Sequence, residues 1–293
     1  MLTYRRPLTL NQAIRVAAEK LSQAGVATAR LDAEVLLSHI LNRDRAWLIT
    51  HIHDALDAGN SALFDDAIVR RAKREPLQHI IGKQEFWGLD FIVTPDVLIP
   101  RPETELVVES AVKTGRDITA PVIIDLCTGS GCIAISLATA LPAARFFAVD
   151  ISERALAIAR ENARGHGVSD RVRFLEGDLF GPLDELDIRG RVDMIVSNPP
   201  YVRSAELDAL QAEVRDYEPE TALIAGPEGT EVHQRIISSA PEYLRQHGTL
   251  IMEMGIGQAE ALAGMFKTSD AYNSVEILKD LAGIDRVIVA QRK

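Results

Sequence analysis

Four consecutive residues, Asn198-Pro199-Pro200-Tyr201, carry the most specific chemistry in the chain. The two prolines fix the backbone and remove two N–H donors. The carbonyls around them therefore stand as acceptors with no adjacent donor to compete. Asn198 adds a side-chain carbonyl acceptor. Two acceptors side by side suit a planar –NH2 group, which has two N–H donors, and the ring of Tyr201 offers a face against which a flat group can pack. The segment is expected to hold an amide or an exocyclic amine. The plainer reading, a proline-rich turn ending a buried strand, is weakened by its place on the same sheet edge as a glycine-rich loop.

That loop is Asp125-Leu126-Cys127-Thr128-Gly129-Ser130-Gly131, at the end of one strand candidate and the start of a helix. Glycines let the backbone turn tightly and approach a ligand. A helix N-terminus presents free N–H groups to an anionic group. The next strand candidate ends in Asp150, a carboxylate able to accept both hydroxyls of a ribose. A third leads to Gly177-Asp178-Leu179-Phe180, where Asp178 either accepts from an adenine amino group or is a solvated turn residue. Together these describe a nucleoside-cofactor site, for a dinucleotide or for S-adenosylmethionine; the loop spacing departs from the G-x-G-x-x-G of the dinucleotide fingerprint.

If the cofactor is a sulfonium methyl donor, the two sites combine. An amide nitrogen is a poor nucleophile because its lone pair is conjugated. Holding both N–H groups on Asn198 and the Pro199 carbonyl would orient the nitrogen and enrich it in electrons, with the methyl carbon in line at roughly 3–3.5 Å. No strong base is needed before attack, and no His/Asp or Cys/His pair lies near in sequence. His51 and His53 read as surface histidines rather than metal ligands. Cys127 and Cys132 read as small buried residues, neither a zinc signature nor a disulfide.

The elements that must position these groups follow from periodicity. Residues 1–75 read as a small helical domain. Leu10, Ala13, Ile14, Ala17, Ala18 and Leu21 recur at helical spacing behind Thr9 as N-cap. Leu31, Val35, Leu36, His39 and Ile40 repeat the pattern, and a later helix carries Leu63, Ala67 and Ile68 and opens at Asn60 or Ser61. Residues 76–105 read as a connector: aromatic and β-branched residues around Gly88 predict a β-hairpin, and Pro95, Pro100 and Pro102 force an extended path. From 106 to 293, strand candidates at 121–126, 145–150, 172–176, 192–197, 249–254, 275–280 and 286–291 alternate with helical patterns at 131–141, 153–165, 230–246 and 257–267. That alternation predicts an α/β fold with a mainly parallel seven-stranded sheet covered on both faces. The join around Gly283 is too short for a parallel crossover, so the last two strands are expected to be antiparallel.

At DLCTGSG (125–131), Asp150 and NPPY (198–201) the chain resembles the Rossmann-like class I methyltransferases that act on amino groups of planar substrates. NPPY is common to adenine-N6 and glutamine-N5 enzymes. Other segments are similar to the bacterial release-factor glutamine methyltransferases, the HemK/PrmC family: Gln78–Gly82, Phe86–Phe91, Val97–Glu105 with its Ile-Pro-Arg-Pro-Glu-Thr-Glu run, Tyr217–Leu223 and Glu253-Met254-Gly255. The resemblance spans essentially the whole chain. It implies methyl transfer from S-adenosylmethionine, leaving S-adenosylhomocysteine, to the glutamine of the GGQ motif in class I peptide-chain release factors. It implies cofactor contacts from Thr128 to Gly131, Asp150, Leu179 and Asn198, with Cys127 and Asp178 as further cofactor-binding candidates beside them; substrate contacts from Asn198 to Tyr201; and closure over the cofactor pocket by Arg101, Glu103 and Thr104. The chain departs from the family at Cys127, where a glycine is common, at His79, where tyrosine is frequent, and at Leu179, where some members have an aromatic able to stack on adenine.

Composition sets the alternatives aside. With 42 acidic and 32 basic residues the formal net charge is −10, against stable binding to a nucleic-acid backbone. This counts against a nucleic-acid adenine methyltransferase, which needs a basic groove and a base-flipping pocket. The basic run Arg70, Arg71, Lys73 and Arg74 ends a helical pattern and reads as a solvated face or a complement to the C-terminal helix dipole. A non-catalytic adaptor would show damage in the glycine loop or in NPPY, and neither is damaged. No apolar run approaches the roughly 20 residues of a membrane span, and the first residues, MLTYRRPLTLNQ, lack the apolar stretch of a secretory signal. A cytoplasmic monomer is expected.

Overall fold

The computed structural model describes residues 8–293; the reading of residues 1–7 lies outside them. The chain divides into two compact units, residues 1–82 with 211–217, and residues 83–210 with 218–293.

The first unit holds α1 (Leu10–Gln23), α2 (Ala29–Leu41), α3 (Arg45–Thr50), α4 (Ala58–Ala72) and α5 (Leu77–Ile81). Thr9 opens α1 as expected, in a reciprocal capping box: its Oγ1 accepts from Gln12 N at 3.3 Å while Gln12 Oε1 accepts from Thr9 N at 3.0 Å. The apolar stripe of α1 meets Leu36, Leu37, Leu48, Phe64 and Ile68 in one core. Two expectations change. The cap of α4 is Asp57, not Asn60 or Ser61: Asp57 Oδ1 accepts from Gly59 N and Asn60 N, both at 3.0 Å, and the Asn60 side chain donates back to Asp57 Oδ2. The basic run is a solvated face only in part, at exposed Lys73. Arg71 is buried, donating to Asp32 at 2.7 Å and Glu213 at 3.0 Å, and Arg74 also binds Glu213.

The second unit runs β1 (Lys83–Phe86), β2 (Leu89–Ile92), α6 (Glu105–Gly115), β3 (Val122–Leu126), α7 (Cys132–Ala140), β4 (Arg145–Asp150), α8 (Glu153–Gly165), β5 (Val172–Glu176), β6 (Val192–Ser197) and β7 (Val202–Arg203). After the short helix α9 (Ala212–Arg215), which belongs to the first unit, follow β8 (Ile224–Gly226), α10 (Glu231–Tyr243), β9 (Leu244–Glu253), α11 (Ala259–Thr268), β10 (Tyr272–Lys279) and β11 (Asp285–Arg292). The seven-stranded sheet has the order β10-β11-β9-β6-β3-β4-β5. β11 is antiparallel to both β10 and β9, and the remaining pairs of the sheet are parallel. The antiparallel final pair is the one expected from the short join at Gly283.

Alternation sorts the strand side chains to the two faces. Ile123, Met194 and Ile251 join Val108, Ile135 and Phe146 on one side. Ile124, Ile195 and Leu250 join Ile236, Tyr243 and Phe266 on the other. The hairpin β1–β2 is pinned to this unit. Buried Asn162 on α8 accepts from Ile92 N at 2.7 Å and donates to Ile92 O at 3.1 Å, and Glu105 Oε1 accepts from Trp87 N at 2.8 Å. The segment 76–82, expected within the connector, instead holds α5, whose Leu77, Ile80 and Ile81 pack on the core of the first unit.

Candidate active site

The register brings the motif residues to one edge. Leu126 stands beside Val149 and Ser197, Asp150 beside Glu176, and Ser197 beside Met252. The carboxyl ends of β3, β4, β5, β6 and β9 therefore share one edge, and β3 is the point where the strand order turns in both directions, the expected place for a ligand crevice. A cavity of about 280 Å³ opens there, lined by Cys127, Gly129, Asp150, Asp178, Leu179, Asn198 and Pro200, with Asp96–Leu98, Ile151, Pro219, Thr221 and Arg235 among its other walls.

The glycine loop has distinct duties at each position. Gly129, at φ +56°, has open space where a Cβ would stand, so its backbone is bare to the cavity. Gly131, at φ +81°, is a packing glycine: a Cβ would lie 2.8 Å from Ile135 Cδ1 and 3.2 Å from Ala159 Cβ, between α7 and α8. Cys127 holds φ +58° without being glycine, which accounts for the glycine expected there; burial pushes its thiol pKa up. Thr128 and Ser130 are buried behind the loop. Thr128 Oγ1 donates to Asp125 Oδ2 at 2.6 Å, and Ser130 O accepts from Asn162 Nδ2 at 2.9 Å.

Two carboxylates support the loop. Asp150 accepts from Gly129 N through Oδ2 at 2.8 Å and from Ser152 N through Oδ1 at 3.0 Å. Burial raises its pKa, against these backbone donors. Asp125, which sequence reasoning gave no role, is fully buried. Burial pushes its carboxyl up to about 7, and its Oδ1 has no hydrogen-bond partner among the described residues. Asp178 reaches the cavity, but its Oδ2 accepts from Arg235 at 2.6 Å, which takes up one of the oxygens available to an amine.

The Asn198 side chain is held by a chain of hydrogen bonds. Its Nδ2 donates to Thr104 Oγ1 at 3.1 Å, Thr104 Oγ1 donates to Glu253 Oε2 at 2.5 Å, and Tyr201 OH donates to Glu253 Oε1 at 3.3 Å. Gln258 anchors the far side of the turn by donating to Tyr201 O at 2.9 Å. Gly255 lets the ring in, since a Cβ there would stand 3.1 Å from Tyr201 Cδ2. The three connector residues expected over the cofactor fall elsewhere than the cavity wall. Arg101 donates to both oxygens of buried Glu218 at 2.7 Å, Thr104 joins Asn198, and Glu103 lies 3.9 Å from Arg286. From the connector, Asp96–Leu98 form the wall instead. Glu253 was visible in the sequence as a carboxylate at the end of an apolar strand; its link to Thr104, 149 positions away, carries no local signal.

The sheet order, the glycine turn after its first strand and the carboxylate after its second define a class I methyltransferase domain, whose methyl donor is of the S-adenosylmethionine type. The methyltransferase domain family matches residues 120–287, and the PrmC N-terminal domain family matches residues 12–82. The release factor glutamine methyltransferase of Geobacter sulfurreducens is 47% identical over 268 residues, covering 92% of this chain and 91% of that protein. The one from Moorella thermoacetica is 42% identical over 286 residues, covering 98% and 99%. A methyltransferase from Pyrococcus furiosus shares the fold, with a TM-score of 0.51 at 16% identity over 76% of this chain and 98% of that one. The chain belongs to the release factor glutamine methyltransferase family.

Proposed function

We propose that this protein transfers a methyl group from S-adenosylmethionine to the side-chain amide nitrogen of the glutamine in the GGQ motif of class I peptide-chain release factors, leaving S-adenosylhomocysteine. One observation carries the reading: Asn198, which lines the cavity, spends its Nδ2 on Thr104, which leaves its Oδ1 as an acceptor for an incoming –NH2. The relatives named for this activity match the chain across both units.

The cavity fits the donor chemically. Asp150 has lone pairs left for ribose hydroxyls beyond its two backbone donors, and the bare backbone at Gly129 admits close approach. Cys127, Thr128, Ser130 and Gly131 would complete the loop side, with Asp178 and Leu179 at the base. Arg101, Glu103 and Thr104 would act from behind, Arg101 by holding Glu218 and so the Pro219–Ala222 wall. When bound, the donor supplies an electrophilic methyl carbon. The residues of the chain do the rest: Asn198 Oδ1 and the Pro199 carbonyl hold the two amide protons, Pro200 and Tyr201 flank the amide plane, and the oriented nitrogen becomes acidic only as it is alkylated, so a neutral site suffices. The helical unit would dock the release factor, and the enzyme would work as a cytoplasmic monomer. Among the described residues no helix is long and apolar enough to cross a membrane.

The test is label transfer from methyl-labelled S-adenosylmethionine to a purified class I release factor, beside a GGQ→GGA variant and an adenine-rich duplex. Label on the wild-type factor alone is expected. Label on the duplex would make the –NH2 an adenine amine and overturn the reading.

A further inference from the structure

Resting on that reading, we propose that Glu253, acting through Thr104, is a positioning residue that sets which end of the Asn198 amide faces the substrate. A threonine hydroxyl has one proton. Thr104 gives it to Glu253 Oε2 at 2.5 Å, so toward Asn198, 3.1 Å away, its oxygen can only accept. The Asn198 NH2 must then point at Thr104 and its Oδ1 away. The opposite orientation would bring two oxygens together with no proton between them. The register makes the arrangement a property of the sheet: Ser197 and Met252 are partners on adjacent parallel strands, so Asn198 and Glu253 follow side by side.

Protonating Glu253 reverses the chain. A carboxylic acid donates to Thr104 Oγ1, the threonine proton turns to Asn198, and the amide flips to present NH2 against the substrate –NH2, donor against donor. Among the described residues the Cys132 thiol, whose ionisation the Glu253 charge opposes, is one group facing Glu253. Thr104 and Tyr201 donate to its two oxygens. Glu103 opposes its charge and Arg286 favours it. His233 Nε2 bonds its backbone carbonyl at 2.8 Å, and burial lowers the His233 pKa, which favours the neutral ring. Burial, only partly offset by Thr104 and Tyr201, pushes the Glu253 carboxyl up to about 7. Transfer should accordingly rise with pH through that range and level off above it.

The experiment compares wild type, Glu253→Gln, Thr104→Val and Thr104→Ser in label transfer to the release factor from pH 5.5 to 9, with cofactor binding and melting measured for each. Thr104→Ser keeps the hydroxyl and should stay within about threefold of wild type, whereas Thr104→Val should lose about 10- to 100-fold in kcat with KM little changed. Glu253→Gln, whose amide can donate to Thr104, should lose a comparable factor and show no acid limb. Its second readout is the Asn198 side-chain NH2 pair in the 15N–1H spectrum, which should shift with pH in wild type and stay fixed in Glu253→Gln. No label with wild type would overturn the functional reading and this inference with it. A labelling wild type beside equally fast Thr104→Val and Glu253→Gln variants would overturn the inference alone.

Discussion

Asp150 sits where residue chemistry is most exposed to test. Its carboxylate holds the loop at Gly129 N and the start of α8 at Ser152 N, and Asp150 lines the cavity. On the proposed reading Asp150→Ala removes a charged acceptor of the donor's ribose, worth about 1.5–3 kcal/mol, so the cofactor Kd should rise about 10- to 100-fold by calorimetry. An unchanged Kd would remove Asp150 from the cofactor site. Asp150 and Asn198 were both legible in the sequence, because each lies within a short motif at a strand end. Thr104 and Glu253 entered the sequence reading only within the resemblance, and the bonds joining them to Asn198 depend on three elements far apart in the chain. Asp125 belongs to the loop motif, yet its burial under α7, whose Ala134 N donates to Oδ2, carries no local signal.

At the scale of elements, the glycine loop is where helix packing and ligand access separate. Gly131→Ala adds a Cβ against Ile135 and Ala159 at a positive φ, so it should cost about 2–4 kcal/mol of stability. Gly129→Ala meets only the strain of its φ and open space, about 1–2 kcal/mol, yet it places a methyl on the backbone that faces the cavity. Urea unfolding should rank Gly131→Ala as the less stable, and cofactor titration should show a clear loss of affinity for Gly129→Ala. The reverse ranking in stability would contradict the packing role of Gly131. The central strands were readable because burial on both faces leaves apolar runs such as Val122–Leu126 and Val192–Ser197, and the antiparallel final pair because the join at Gly283 is too short for a crossover. The short pair β7–β8 and helices α3, α5 and α6 were not, since elements of two to six residues and Pro-flanked starts carry little periodicity. Nor was the true cap of α4, where Asp57 competes with Asn60 and wins by being placed to accept from both Gly59 N and Asn60 N.

For the whole molecule, buried carboxyls set a pH dependence of stability. Asp125 and Glu253 are each pushed up to about 7 by burial, from unfolded values of about 4. The folded state therefore binds more protons than the unfolded state between those limits, and stability falls as pH rises from about 4 to 7. The two tryptophans lie in different units, Trp47 in the helical one and Trp87 in the catalytic one. In a Trp47→Phe background, Trp87 fluorescence reports the catalytic unit. Its urea midpoint should fall between pH 5 and pH 8, and Asp125→Asn or Glu253→Gln should each flatten that fall. A midpoint that rises over this interval, or a slope that neither substitution changes, would contradict the buried-carboxylate account.

The central claim is that Asn198 Oδ1 holds the target amide while Asp150 and the glycine loop hold the donor. Single-turnover methyl transfer by Asn198→Ala, with cofactor affinity measured on the same preparation, tests it most directly. The account predicts a loss of about 10²–10³-fold or more in the transfer rate, with the cofactor Kd and the melting temperature close to wild type. Near-normal transfer by that variant would contradict it.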